Sequence, residues 1–312
     1  MTPVIALSQS AGSLGLMATS YLISGARVLR PEGLSDGAVC IEEDSFQAQP
    51  PTAARLINAQ GLLALPGMVD LHGDAFERQL MPRPRVRFPT ALALADTDRQ
   101  LVANGITTAF HGITWSWEGG LRGRDTALEL IAGIRQRAML PGADHKVHLR
   151  FENHNVAEAD EVARSIAAGH VDLLAFNDHL PDIARKCRQT EKRQAYAERA
   201  EVDNTAFMER LAAAQARADE VPAAVALLAR LAAERGIAMA SHDDLTVQDR
   251  QHYGALGAHI SEFPRSMEAI ATAQDQGSPI ILGAPNVLRG GSHCGAVGAA
   301  DMVVQGKCDI LA

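Results

Sequence analysis

Cysteine is sparse in this chain, and its spacing gives it no structural role. Cys40, Cys187, Cys294 and Cys308 are scattered over 312 residues, with no CxxC pair. That pattern argues against a disulfide scaffold and fits a reducing compartment, so a cytoplasmic location is expected. No apolar run reaches the ~18 residues of a membrane span, so no membrane partner is expected. The first 26 residues hold no Lys or Arg, so the basic start of a signal peptide is missing. Positive charge is not in excess either. The net charge is -8 and the pI about 5.8, which argues against a general nucleic-acid binder. No GxGxxG follows the first strand of the main domain, and no GxSxG occurs, so the signatures of a dinucleotide fold and of a nucleophile elbow are absent. What remains is an ordinary globular composition, 47% hydrophobic and 21% charged.

Three segments are expected. Residues 1–16 read as a disordered tail, with Met17 a plausible start, because strand patterning begins only at Tyr21. Residues 17–66 read as a small, incomplete β domain. Its short strands, 21–23, 27–29, 38–41 and 62–65, suggest a small antiparallel sheet. From residue 67 to 312 strands and helices alternate. The expected strands are 68–72, 106–112, 147–152, 171–176, 237–240, 258–263, 279–283 and 309–311. Helices are expected at 127–139, 157–168, 207–218, 222–235 and 267–276, with Pro222 at a first-turn position and Gly277 just past a helix end. Eight strands over roughly 245 residues predict an α/β fold, a (β/α)8 TIM-like barrel, with a small N-terminal β-sandwich portion.

Chemistry-bearing residues collect where those strands end. The run Leu65-Pro66-Gly67-Met68-Val69-Asp70-Leu71-His72-Gly73-Asp74 closes a strand with His-x-Asp. Residues i and i+2 of a strand share a face, so His72 and Asp74 are candidate metal ligands. Glu152 closes the third strand, Asp178-His179 follow the fourth, and Ser241-His242-Asp243-Asp244 close the fifth. His111, His154 and Glu262 lie at strand ends without such company and read as ordinary buried polar residues. A divalent ion needs three or four such donors and a place for water. The ligands expected are His72, Asp74, Glu152, His179 and His242. Asp243 and Asp244 are candidate catalytic or imidazole-orienting carboxylates. The expected cofactor is Zn²⁺, with Mn²⁺ or Fe²⁺ as alternatives, as one or two ions.

Two loops suggest an anionic substrate. Arg78, Arg83, Arg85 and Arg87 fall within ten residues of a proline-stiffened loop after the first strand. Guanidinium groups match phosphate oxygens bidentately. After the seventh strand comes Asn286-Val287-Leu288-Arg289-Gly290-Gly291-Ser292-His293, whose glycines can turn backbone N–H groups to an anion. Arg83, Arg85, Asn286, Arg289, Ser292 and His293 are the substrate-binding candidates. The expected partner is a phosphorylated small molecule; self-association into a homo-oligomer is left open.

The motifs LPGMVDLHGDAFERQLMPRPRVRFP, FNDH, SHDD and APNVLRGGSH resemble the amidohydrolase superfamily over about residues 20–312. Within it they resemble a branch with HxD where HxH is more usual, acting in phosphonate breakdown. The resemblance implies a metal-bearing barrel with a small β-sandwich made from both chain ends. It also implies hydrolysis of a ribosyl 5-triphosphate to the 5-monophosphate and pyrophosphate. The superfamily's metal-binding Asp after the eighth strand has no equivalent before Ala312. The barrel is therefore expected to be C-terminally truncated, with weakened metal binding and impaired catalysis. The rival expectations are a C–N bond amidohydrolase acting on a phosphorylated substrate, and a non-catalytic barrel that binds a ligand or partner.

Overall fold

The computed structural model describes residues 4–5, 20–136, 140–291 and 297–312. They divide into two compact units. The first comprises residues up to 70 together with 94–109 and 136–145. Its centre is a six-stranded sheet built on two ten-residue strands, Tyr21–Arg30 and Gly33–Glu42, which pair antiparallel. Tyr21–Arg30 is one bulged strand where two short ones were expected. The register shifts between Ser24 and Ala26, and Gly25 at φ +78° supplies the left-handed residue of the bulge. The sheet is also mixed rather than antiparallel. Arg55–Asn58 and Leu63–Ala64 run parallel to Tyr21–Arg30, because the chain returns through Pro50-Pro51 and the turn at Thr52-Ala53 before pairing. Ile23, Ala26, Val28 and Ala59 form its buried core. Of the expected tail, only Val4–Ile5 are described, paired with Leu63–Ala64; the rest of 1–16 lies outside the described residues.

The main sheet has eight strands in chain order: Met68–Gly73, Ile106–Trp115, Asp144–Glu152, Leu173–Asn177, Ala238–His242, Ile260–Glu262, Ile280–Leu282 and Ile310–Leu311. From the third to the eighth every ladder is parallel. Each expected strand is present, and the sequential parallel order is that of the (β/α)8 barrel. Helices cross between the strands. Val221–Glu234 carries Pro222 in its first turn, and Gly277, at φ +66°, follows Met267–Asp275. The helix expected over 127–139 spans Arg124–Arg135; residues 137–139 lie outside the described residues. Thr246 begins Val247–Ala255 with a capping box closed by Asp249.

The register of this sheet builds the site. Asn177 pairs with Glu152, Phe176 with Ser241, and His242 with Glu262. Four consecutive strands therefore finish level, with their polar residues in one layer at the C-terminal ends. These residues all belong to the second unit, residues 71–93, 110–135 and 146–312.

Candidate metal centre

Three strand ends bring three imidazoles together. The His72 and His242 ring centroids are 5.5 Å apart, and those of His179 and His242 are 5.3 Å apart. Phe263 sets its ring edge-on to both His72 and His242. Among the described residues two sets of potential ligands result, His72–His242–Glu262 and His179–His242–Asp243, sharing His242. His72, His179 and His242 are thus brought together at one end of the sheet. Asp74 joins neither set. The first strand ends at Gly73, and Asp74 is an exposed residue whose carbonyl starts the turn into the helix Phe76–Leu80. Strand alternation stops where the strand does. Glu152 also stands outside both sets, but it holds a ligand candidate: its Oε1 lies 2.6 Å from His179 Nδ1, which turns His179 Nε2 to within 3.3 Å of Asp243 Oδ2. A carboxylate behind an imidazole is how proteins orient and enrich a metal-binding histidine.

The SHDD run divides by function. Asp243 faces the cluster, with its backbone at φ +63° and its N–H bonded to Glu262 O at 2.9 Å. Asp244 turns the other way. It is buried, accepts from Ser241 Oγ at 2.5 Å, and pairs with the fully buried Arg250 at 3.3 Å. Arg250 also donates to Ser241 and to the carbonyls of Ala258 and Ile260. Asp244 therefore anchors the fifth strand end to the following helix.

Glu262, which the sequence reads as an ordinary buried polar residue, and Arg150, which no motif marks, both belong to this cluster. Glu262 has no exposure; its Oε1 is 2.7 Å from His72 Nδ1 and its Oε2 is 3.7 Å from His148 Nε2. His148 Nδ1 is 3.0 Å from the Leu71 carbonyl. That ring nitrogen must donate, so Nε2 presents a lone pair to Glu262 Oε2. Two acceptors facing each other in the interior require a proton or a cation beside them. His148 Nε2 and Glu262 Oε2 are both buried without a hydrogen-bond partner among the described residues. Such a donor set, rich in neutral imidazole and carboxylate, fits a divalent ion. Arg150 lies among them, on the strand face shared by His148 and Glu152. The available signal was the spacing His148-x-Arg150-x-Glu152, one face of one strand.

The electrostatics of three of the rings suit cation binding. Burial, reinforced by Arg150, lowers the His72 pKa to about 3, and burial likewise lowers His148 to about 4. His242 is pushed well below its usual value by the same two causes. These rings stay neutral, which a metal ligand must be. His179 goes the other way: burial opposes its charge, but Glu152 and the Asp243 hydrogen bond outweigh that and raise it to about 9. Burial raises the pKa of the Glu262 carboxyl.

The arginine loop is partly strapped down. Glu77 and Arg78 sit on the helix Phe76–Leu80, and Arg122 forks onto Glu77 with two bonds of 2.9 Å. Arg85 donates to the Val202 carbonyl at 2.9 Å, and Arg87 reaches Glu201 and Thr126. Arg83 is exposed, as is Arg289 at the end of the helix Ala284–Arg289. Asn286 is half-buried on that helix, and Ser292 and His293 lie outside the described residues. A cleft of about 730 Å³ belongs to the first unit instead. Ile23, Val28, Val39, Ile41 and Phe46 line it, a surface suited to apolar packing rather than to this chemistry.

A parallel sheet in chain order, with histidines and carboxylates level at its C-terminal ends, is the arrangement in which (β/α)8-barrel enzymes carry their active sites. The particular protein this chain resembles is α-D-ribose 1-methylphosphonate 5-triphosphate diphosphatase of Escherichia coli strain K12. The two are 28% identical over 301 residues, 93% of this chain and 79% of the relative. Among solved structures, a candidate prolidase from Bifidobacterium longum matches 86% of this chain with a TM-score of 0.51 and 14% identity. The chain spans 61% of the length of that structure. A D-hydantoinase from Thermus sp. matches 93% of the chain and 68% of its own, with a TM-score of 0.46 and 12% identity. No protein-family model matches the sequence. Among the described residues no helix is long and apolar enough to cross a membrane.

Proposed function

We propose that the chain hydrolyses ribose 1-methylphosphonate 5-triphosphate to the 5-monophosphate, releasing pyrophosphate. The observation that carries this reading is the 28% identity to the diphosphatase, sustained along 93% of the chain. The gathering of His72, His179, His242, Asp243 and Glu262 at one end of the sheet supports it. In this reading those residues hold a divalent ion, Zn²⁺ first, with Mn²⁺ or Fe²⁺ as alternatives. The ion supplies an activated water near neutral pH. Glu152 fixes the His179 ring, and Asp243, in contact with His179 Nε2, is the carboxylate that would take a proton. Arg83 and Arg289 bind the outer phosphates, with Asn286, Ser292 and His293 completing the second phosphate loop. Arg85 and Arg87 shape the first loop through their ties to residues 201 and 202.

The test is product analysis by phosphorus NMR. The chain is incubated with ribose 1-methylphosphonate 5-triphosphate and added Zn²⁺ or Mn²⁺. One pyrophosphate per monophosphate, lost on chelation, is expected. Stepwise orthophosphate release, or turnover of an amide with none of the triphosphate, would overturn the proposal.

A further inference from the structure

A guanidinium buried among metal-ligand candidates needs a reason. Arg150 is 5% exposed, yet no ion pair joins it to a carboxylate among the described residues. A buried guanidinium is costly to desolvate, and the carboxylates that feel its charge, Glu152 and Glu262, do not pair with it directly. Its contacts are with uncharged groups. Nη2 lies 3.2 Å from His242 Nε2, and Nη1 is 3.4 Å from Thr114 Oγ1. With its amide oxygen turned inwards, Asn177 accepts from Nε at 3.2 Å and from Nη2 at 3.0 Å. Space for the side chain comes from Gly112, where a Cβ would lie 3.2 Å from Arg150 Cδ and 3.6 Å from His72 Nε2.

The bond to His242 has a chemical consequence. Guanidinium only donates. His242 Nε2 must therefore be the acceptor and carry no proton. The proton of the neutral ring then sits on Nδ1, which is 3.6 Å from Asp243 Oδ1. An imidazole in that state has no lone pair left for a metal at either nitrogen. Yet His242 is the residue common to both potential ligand sets.

We propose that Arg150 is a resident cation of the site that competes with the divalent ion for His242. Binding the ion requires His242 Nε2 to leave the guanidinium, or the ring to move its proton from Nδ1 and lose the Arg150 bond. In either case Arg150 lowers the affinity of the centre for metal. This inference rests on the metal centre of the proposed function, but not on the identity of the substrate.

The experiment is Zn²⁺ binding to the full chain by competition with a chromophoric chelator, for the wild type, Arg150→Met and Arg150→Lys. Arg150→Met is expected to bind Zn²⁺ at least tenfold more tightly. Arg150→Lys, which keeps a donating cation, should stay within about threefold of the wild type. The effect of Arg150→Met should vanish in a His242→Gln background, which identifies the ion measured. A second measurement needs no variant to fold: ¹⁵N NMR of the histidine rings in chelator-treated wild type. His242 should show the proton on Nδ1 and switch when Zn²⁺ is added. Equal or weaker Zn²⁺ binding by folded Arg150→Met, or a proton on His242 Nε2 in the chelated protein, would overturn the proposal. Tighter zinc binding in a chain that releases no pyrophosphate would leave it standing while removing the diphosphatase reading. No Zn²⁺ binding at all would remove both.

Discussion

Replacing Arg250 by Met should destabilise the protein by about 3–5 kcal/mol, because it strands a buried carboxylate. Both side chains of the Arg250–Asp244 pair have no exposure, and their closest charged atoms are 3.3 Å apart. At an effective dielectric of about 20, that separation is worth about 5 kcal/mol of attraction. The attraction does not stabilise the fold outright, since it offsets the desolvation of both ions. Losing one partner removes the attraction and leaves the other ion's desolvation in place. The two changes should therefore not add. Asp244→Asn keeps the shape and the Ser241 contact, so the double variant Asp244→Asn/Arg250→Met should recover at least half of the loss. Urea denaturation of the four proteins measures this. A loss below about 1 kcal/mol for Arg250→Met, or full additivity in the double variant, would refute the reasoning. The same set separates anchoring from chemistry. If Asp244 only holds the fifth strand end, the folded double variant keeps turnover within about tenfold. A loss beyond about a thousandfold in a protein of intact fold would place Asp244 in the reaction.

Glu262→Gln should weaken Zn²⁺ binding about 10- to 100-fold, since Glu262 either ligates or orients His72; unchanged affinity by chelator competition would remove it from the centre. Burial alone would raise the Glu77 pKa, but the charge and paired hydrogen bonds of Arg122 outweigh it and hold the carboxyl below its usual 4.5. A depressed folded pKa gives stability that is fully present above pH 4.5 and lost as pH falls through the folded value. The denaturation midpoint of the wild type should therefore fall more steeply below about pH 4.5 than that of Glu77→Gln, and parallel curves would contradict this. Arg83→Ala and Arg289→Ala should each raise KM for the triphosphate about tenfold with little change in kcat, an effect that shrinks with added salt; an unchanged KM would take those side chains out of phosphate binding.

The parts of the molecule that local chemistry governs were legible, and those that pairing governs were not. Barrel strands such as Ile280–Leu282 are buried on both faces and read as apolar runs. Helices with an apolar stripe, such as Arg124–Arg135 and Val221–Glu234, were found; Thr190–Arg199, whose sequence TEKRQAYAER buries only Ala197 fully, has no stripe to find. His72 was legible because it closes a strand, but Asp74 was placed by extending the alternation one residue beyond where the strand ends. Glu262 carries no motif. It enters the centre because the sixth strand pairs with the fifth in the register His242↔Glu262, and no residue near Ile260 or Ser261 announces that register. Arg150 is less legible still. An arginine inside an apolar strand ordinarily marks an edge or a solvated face. Here the glycine that makes room for it, Gly112, lies on the neighbouring strand, and the asparagine that receives it, Asn177, lies on the strand beyond. Three ordinary residues become a cation site only when the second, third and fourth strands are laid side by side. The ligand candidates could be nominated one at a time from strand ends, whereas the cation that competes with the metal is a property of the sheet.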